Sequence, residues 1–196
     1  MTLNIRLIFS VFFGIIVLST TYLPLESIVA LTATGRVVIV QTFCDKTIDK
    51  FNVIDGTEGN DKLTGTRGDD LIRGFGGNDR IIGEKGNDCL IGGDGNDHIT
   101  GQDGTDTIIG EQGNDRLYGN KGNDKISGGI GNDRIHGNQG SDVLEGGEGN
   151  DMIFGGQGND KIDGGDGNNT CKGGSGNNII INCNLQKDND SDDEED

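Results

Sequence analysis

The 196-residue chain is poor in the side chains on which most packed cores and most active sites depend. It has no tryptophan, aromatic residues make up 5% of it, and it holds only two histidines. Lysine and arginine number 16 against 33 acidic residues, and a formal net charge of −17 argues against nucleic acid as a partner. The two histidines, His98 and His136, fall two coils apart in the reading developed below, too far to share a metal. No nucleophile, base and orienting acid recur at a motif spacing, so nothing here argues for an enzyme. With 37 glycines and few aromatics, composition on its own describes a disordered polar chain.

The order of the residues overrules that description. From Gly56 to Ile181 one nine-residue phrase, Gly-x-x-Gly-Asn-Asp-x-aliphatic-x, recurs fourteen times without a slip. Glycine holds the first and fourth positions of every copy. The sixth position is aspartate in twelve copies: Asp61, Asp70, Asp79, Asp88, Asp97, Asp106, Asp115, Asp124, Asp133, Asp142, Asp151 and Asp160. Asn169 and Asn178 stand there in the last two. The eighth position is Leu or Ile in thirteen copies, from Leu63 to Ile180, with Cys171 the exception. The phrase resembles the nonapeptide of the RTX, or haemolysin-type, calcium-binding proteins, and the resemblance spans 126 of the 196 residues.

The repeat has a physical reading of its own. Two glycines three apart, followed by Asn-Asp, describe a turn that needs positive φ at several residues, so positions one to six are read as the turn. The three residues left, such as Lys62-Leu63-Thr64, alternate outward, inward, outward like a short half-buried strand. A chain that turns every nine residues closes one coil in eighteen, and odd and even repeats then stack into separate parallel sheets. The expected fold is all-β: a right-handed parallel β-roll of fourteen repeats in two stacked sheets of seven strands, forming one quasi-one-dimensional domain.

Stacking sets the aspartates of repeats n and n+2 over one another along two edges. Carboxylates about 5 Å apart repel by ~3 kcal/mol per pair at an effective dielectric of 20, so a cation must lie between them. An all-oxygen, adaptable cage suits Ca²⁺ better than Mg²⁺ or Zn²⁺. Five Asp-over-Asp pairs on each edge give about ten calcium ions. One aliphatic side chain per repeat is little burial against the backbone entropy of 126 residues, so the repeats are expected to fold on binding calcium. What the RTX resemblance implies is an ion between turns n and n+2, held by the sixth-position side chains and by carbonyls of the glycine-rich turns. Those carbonyls are placed at Gly59, Gly68, Gly77, Gly86, Gly95, Gly104, Gly113, Gly122, Gly131, Gly140, Gly149 and Gly158. Asn169 and Asn178 are expected as weaker or capping members.

The ends differ in composition. Residues 1–30, with Arg6, an apolar stretch from Leu7 to Leu18 and small residues near Ala30, read as a secretory signal peptide, an uncleaved membrane anchor being the alternative. Residues 31–55 read as an N-terminal β cap in which Ile54 takes the inward place of a degenerate repeat. Residues 182–196 read as a C-terminal cap and a disordered acidic tail. Four cysteines in an exported chain allow three pairings, and Cys171 with Cys183 would staple the end of the roll, leaving Cys44 and Cys89.

On the odd-numbered sheet the seventh positions read Lys62, Arg80, His98, Arg116 and Arg134, a basic stripe that is either a solvated face or a site for an anionic polymer. The function expected is that of an exported calcium-binding protein at the cell surface or outside the cell. It would act as a structural or adhesive module, with cell-envelope polysaccharide or a surface protein as partner. The alternative is a secretion or folding accessory for a separate toxin or hydrolase.

Overall fold

The computed structural model describes residues 11–12, 15–16, 29–31, 38–40, 42–44, 46–47 and 50–185. The expected signal peptide falls largely outside them and the acidic tail from residue 186 wholly so. Among the described residues no helix is long and apolar enough to cross a membrane. The chain divides into units Met1–Phe51 and Asn52–Asp196. In the first, short antiparallel pairings join Val11–Phe12 to Ile15–Ile16, Val29–Leu31 to Val38–Val40 and Thr42–Phe43 to Lys46–Thr47.

The second unit is the β-roll. Two parallel sheets of eight strands stack with a shift of two repeats per step, so that each strand pairs with those one coil before and after it. One sheet, the first, runs from Lys62–Thr64 through Arg80–Lys85 and His98–Asp103 to Thr170–Ser175 and Asn184–Leu185. The other, the second, runs from Asn52–Asp55 through Asp70–Gly76 and Cys89–Asp94 to Ile179–Ile181. The count is eight rather than the expected seven because Asn52–Asp55 and Asn184–Leu185, which flank the repeats, each add a strand.

The register follows the eighteen-residue coil: Ile81 lies beside Ile99, Ile99 beside Leu117 and Leu117 beside Ile135. The eighth-position side chains therefore form the core, and those from Ile72 to Cys171 are at most 1% exposed. Ile54, Leu63, Ile180 and Cys183 pack partly buried against its ends. Cys171 keeps its inward place and bonds to Cys183, with Cα atoms 5.8 Å apart, which ties the last coil to the core column.

The division of the repeat into turn and strand differs from the expected one. Strands such as Arg80–Lys85 run six residues, from position seven to position three of the next repeat, with alternating burial at positions eight and one. The first-position glycine is thus a strand residue facing inward, and only positions four to six turn the chain. Positive φ falls at position four, as at Gly95 with φ 136, and at position two, where Glu84 at 79 and Gln102 at 82 adopt it without being glycine. The first position is glycine for a different reason, a close approach taken up below.

Turn amides reach alternately forward and back to neighbouring coils. Gly95 N–H donates to the carbonyl of Gln112 at 2.8 Å, and His98 N–H to that of Asp79 at 2.8 Å. Between them, Asn96 N–H donates back to Oδ1 of Asn78 at 2.7 Å, and Asp97 N–H forward to Oδ1 of Asp115 at 2.7 Å. Four successive donors are satisfied by adjacent coils, so the tight turn leaves no orphan amide, including that of the buried Asp97.

Candidate metal-binding edges

Along each edge the sixth-position carboxylate does two different things with its two oxygens. Oδ1 accepts a hydrogen bond from the backbone amide of the sixth residue one coil earlier: Asp88 from Asp70, Asp106 from Asp88 and Asp124 from Asp106, all at 2.9 Å. Oδ2 of Asp79, Asp88, Asp97, Asp106, Asp115, Asp124, Asp133, Asp142, Asp151 and Asp160 is buried with no hydrogen-bond partner. These side chains are at most 3% exposed. A buried carboxylate oxygen with no donor is costly, and ten of them in two rows call for positive charge.

The space around each open oxygen is lined by oxygen. A Cβ on Gly74 would run into Oδ2 of Asp79 and the carbonyl oxygen of Gly92 together; on Gly110 it would meet Oδ2 of Asp115 and the carbonyl of Gly128. The first-position glycine thus leaves room at which a carboxylate oxygen and a carbonyl of the next coil converge. Those first-position carbonyls were not singled out from the sequence, which pointed to position four. The fourth-position carbonyls instead abut the fourth-position glycine of the next coil, as Gly77 does Gly95. Among the described residues no three His, Cys, Asp or Glu side chains gather into one cluster. Successive carboxylates are a coil apart, so any cation here needs backbone oxygens to complete its shell.

Burial dominates the electrostatics. It pushes the carboxyls of Asp88, Asp115 and Asp124 up to about 7, and those of Asp97, Asp133 and Asp142 to about 6, against the lowering effect of the amide each accepts from. Burial likewise raises Asp79, Asp151 and Asp160. Repulsion from carboxylates one coil away adds to the rise, from Asp106 and Asp70 at Asp88 and from Asp133 and Asp97 at Asp115. Without a cation the rows hold protons unusually tightly, as expected of acceptors that lack donors.

Both ends of the rows close differently. In the first repeat Thr57 donates its amide at 2.6 Å and its hydroxyl at 2.9 Å to Oδ2 of Asp61. Thr66 does the same for Oδ2 of Asp70, at 2.6 and 3.1 Å. At the far end the aspartates give way to Asn169 and Asn178, whose Oδ1 atoms still accept from Asp151 and Asp160 at 2.8 Å. Their amide nitrogens stand where the open oxygen would be: Asn178 Nδ2 donates to Gly174 O at 3.1 Å, and Asn169 Nδ2 to Gly165 O at 3.3 Å and Asn182 O at 3.4 Å. Asn182 is the first-position residue of the following coil, so asparagine itself bonds to the carbonyl that the aspartates only face.

His98 and His136 lie on strands two coils apart, with the ring of Tyr118 between them at 5.4 and 5.1 Å. The basic stripe is in register as expected, with Arg80 beside His98, His98 beside Arg116 and Arg116 beside Arg134.

The model of the RTX calcium-binding nonapeptide repeat matches the chain in four copies, at residues 55–88, 90–117, 109–144 and 145–180. No curated protein matches the chain.

Proposed function

We propose, for a chain that belongs to the RTX calcium-binding nonapeptide repeat family, that calcium fills the two edges of its roll and that this binding folds the repeats. The observation that carries this reading is the pair of rows of buried, donorless Oδ2 atoms from Asp79 to Asp160. A carboxylate oxygen facing a glycine carbonyl is a hard, all-oxygen setting, which Ca²⁺ accepts with irregular geometry and Mg²⁺ does not. Ten open oxygens support about ten ions. The ligands would be those oxygens together with glycine carbonyls, the first-position ones that face them, such as Gly92 and Gly128, and those of the fourth-position turn glycines. Asp61 and Asp70 are already served by Thr57 and Thr66, and Asn169 and Asn178 by their own amides. These four therefore close the rows rather than hold ions of full strength.

The module works outside the cell or at its surface, as a calcium-stiffened structural or adhesive element. Two features support this. The bond between Cys171 and Cys183 belongs to an oxidising compartment. Extracellular calcium modules bind with Kd of roughly 10⁻⁴–10⁻³ M, so the chain would remain unfolded until it met external calcium. The test is a calcium titration of chelator-treated protein followed by far-UV circular dichroism, with magnesium as control. A cooperative coil-to-β transition with calcium and none with magnesium is expected. An unchanged β spectrum in chelator would show that the aliphatic column and end caps suffice, and would overturn the switch.

A further inference from the structure

The outer face of the first sheet carries charge that calcium at the edges does not use. Position seven presents Lys62, Arg80, His98, Arg116 and Arg134 side by side, one strand after another. Neighbouring strands lie about 4.8 Å apart, so the stripe gathers like charges at a spacing where they repel. Arg80, Arg116 and Arg134 are exposed, and among the described residues none of the three forms an ion pair, in a chain with 33 acids to 16 bases. Elsewhere on the roll Arg73 pairs with Asp55 at 2.7 Å and Lys121 with Asp103 at 2.9 Å, whereas the three arginines of the stripe have no acid among their strand neighbours at position seven. An unrelieved arginine stripe in an acidic protein marks a place for anions from outside.

Two further features of this face say which anions. A groove of about 270 Å³ is lined by Arg116 and Arg134 together with Asn114 and Asn132, whose amide nitrogens each spend one N–H on Oδ1 of the asparagine a coil earlier, at 3.2 and 3.1 Å, and keep the second. That mixture suits carboxylates, which arginine binds with two parallel hydrogen bonds, set among hydroxyls, which asparagine binds. Beside the stripe stands a row of rings, His98, Tyr118, His136 and Phe154, with successive centroids 5.4, 5.1 and 4.7 Å apart. Tyr118 lies nearly parallel to His136, and His136 to Phe154, at 11° and 15°. Inside the row the faces are taken up by neighbouring rings and only edges remain. Single-stranded nucleic acid, which needs open aromatic faces for its bases, is poorly served by such a row.

We propose that this face binds a linear carboxylated polysaccharide, a polyuronate lying along the roll axis with its carboxylates on Arg80, Arg116 and Arg134. The groove is also lined by Asp115 and Asp133, whose side chains belong to the calcium edge. As bare anions they repel a polyuronate; neutralised by calcium they do not. Binding therefore requires the calcium-filled roll, and the inference rests on that reading of the edges.

The experiment is isothermal titration of the full chain in millimolar calcium with hexagalacturonate, an oligomer too short to gel with the ion, while circular dichroism reports the fold in the same buffer. Saturable binding is expected. The double variant Arg116→Gln/Arg134→Gln should weaken it about tenfold or more, since each substitution removes a charge-assisted pair of hydrogen bonds. Lys125→Gln/Lys161→Gln, on the second sheet, should leave it unchanged. Neither oligothymidylate nor maltohexaose should compete. A folded chain that fails to bind, an arginine variant that binds as tightly as the parent, or equal binding of oligothymidylate would overturn the proposal. A chain without β structure in calcium would instead overturn the calcium reading beneath it.

Discussion

The backbone amide of Asp106 donates to Oδ1 of Asp124 at 2.9 Å, while Oδ2 of the same carboxylate is buried without a donor. One oxygen holds adjacent coils together and the other is left open. Because the relation recurs from Asp79 to Asp160, each aspartate is both a coil-to-coil fastener and a candidate ligand, and the two roles separate by substitution.

Asp124→Ala removes both. The buried Asp106 amide loses its acceptor, and a loss of ~1–3 kcal/mol is expected in saturating calcium. Asp124→Asn keeps Oδ1 and places an amide nitrogen where the open oxygen was, as Asn169 does naturally. It should lose less stability while binding fewer ions than the parent. Chemical denaturation with ion counting checks this, and equal stability losses in the two variants would refute the division of roles.

In chelator the roll should be more stable in acid. Asp88, Asp115 and Asp124 sit near 7 and Asp97, Asp133 and Asp142 near 6, above the ordinary 3.8. A carboxyl whose pKa is raised by folding holds its proton more tightly in the folded state. Its contribution is full below the unfolded value and fades as pH rises through the folded one. The β signal of calcium-free protein is expected to decline as pH rises through about 6 to about 7. With calcium present the sign reverses, because proton and ion compete for Oδ2. Circular dichroism against pH, with and without calcium, reads both arms, and a calcium-free signal that grows with pH would contradict the assignment.

Gly110→Ala tests the oxygen-lined space. Its Cβ would meet Oδ2 of Asp115 and the carbonyl of Gly128, so the neighbours must move apart. A destabilisation of ~1–3 kcal/mol is expected, together with a higher calcium midpoint. Substitution at the outward Ser127, on the other side of the same sheet, serves as the control and should move neither.

Cys171→Ala/Cys183→Ala should loosen only the end of the roll. The bond closes a segment with a sequence separation of 12, and cross-links of loops near this length contribute about 3 kcal/mol. Contacts in a solenoid are between neighbours, so the loss should stay in the terminal coils. Hydrogen exchange is expected to quicken around Ile179–Ile181 while Ile99 to Ile126 keep their protection. Uniform loss of protection along the roll would show instead that the unit unfolds as one.

The parallel stacking, the inward aliphatic column, the two edges of aspartate and the inward place of Cys171 were legible because each is a single position of a strict period. Ile54 was legible for the same reason, being one period before Leu63. Strand length was not. Glycine at position one suggests a turn, yet Gly110 lies in a strand and is glycine because Asp115 crowds it, a contact between residues five apart that has no signature in propensity. The caps were half legible. Asn169 and Asn178 stand out as breaks in a column, whereas Thr57 and Thr66 occupy a position that varies freely, and their role is visible only once their amides are seen on Asp61 and Asp70. The ring row was hidden because it changes column, from position seven at His98 to position nine at Tyr118.

The sequence by itself determined the coil, since a nine-residue period with one apolar and one acidic position per turn can bury the first and align the second in only one way. Tertiary structure decided what each aligned atom does. Whether a carboxylate oxygen meets an amide, a threonine, an asparagine nitrogen or nothing depends on the coil eighteen residues away and on which way its side chain leans. Those contacts separate the rows open to calcium from the ends that close without it.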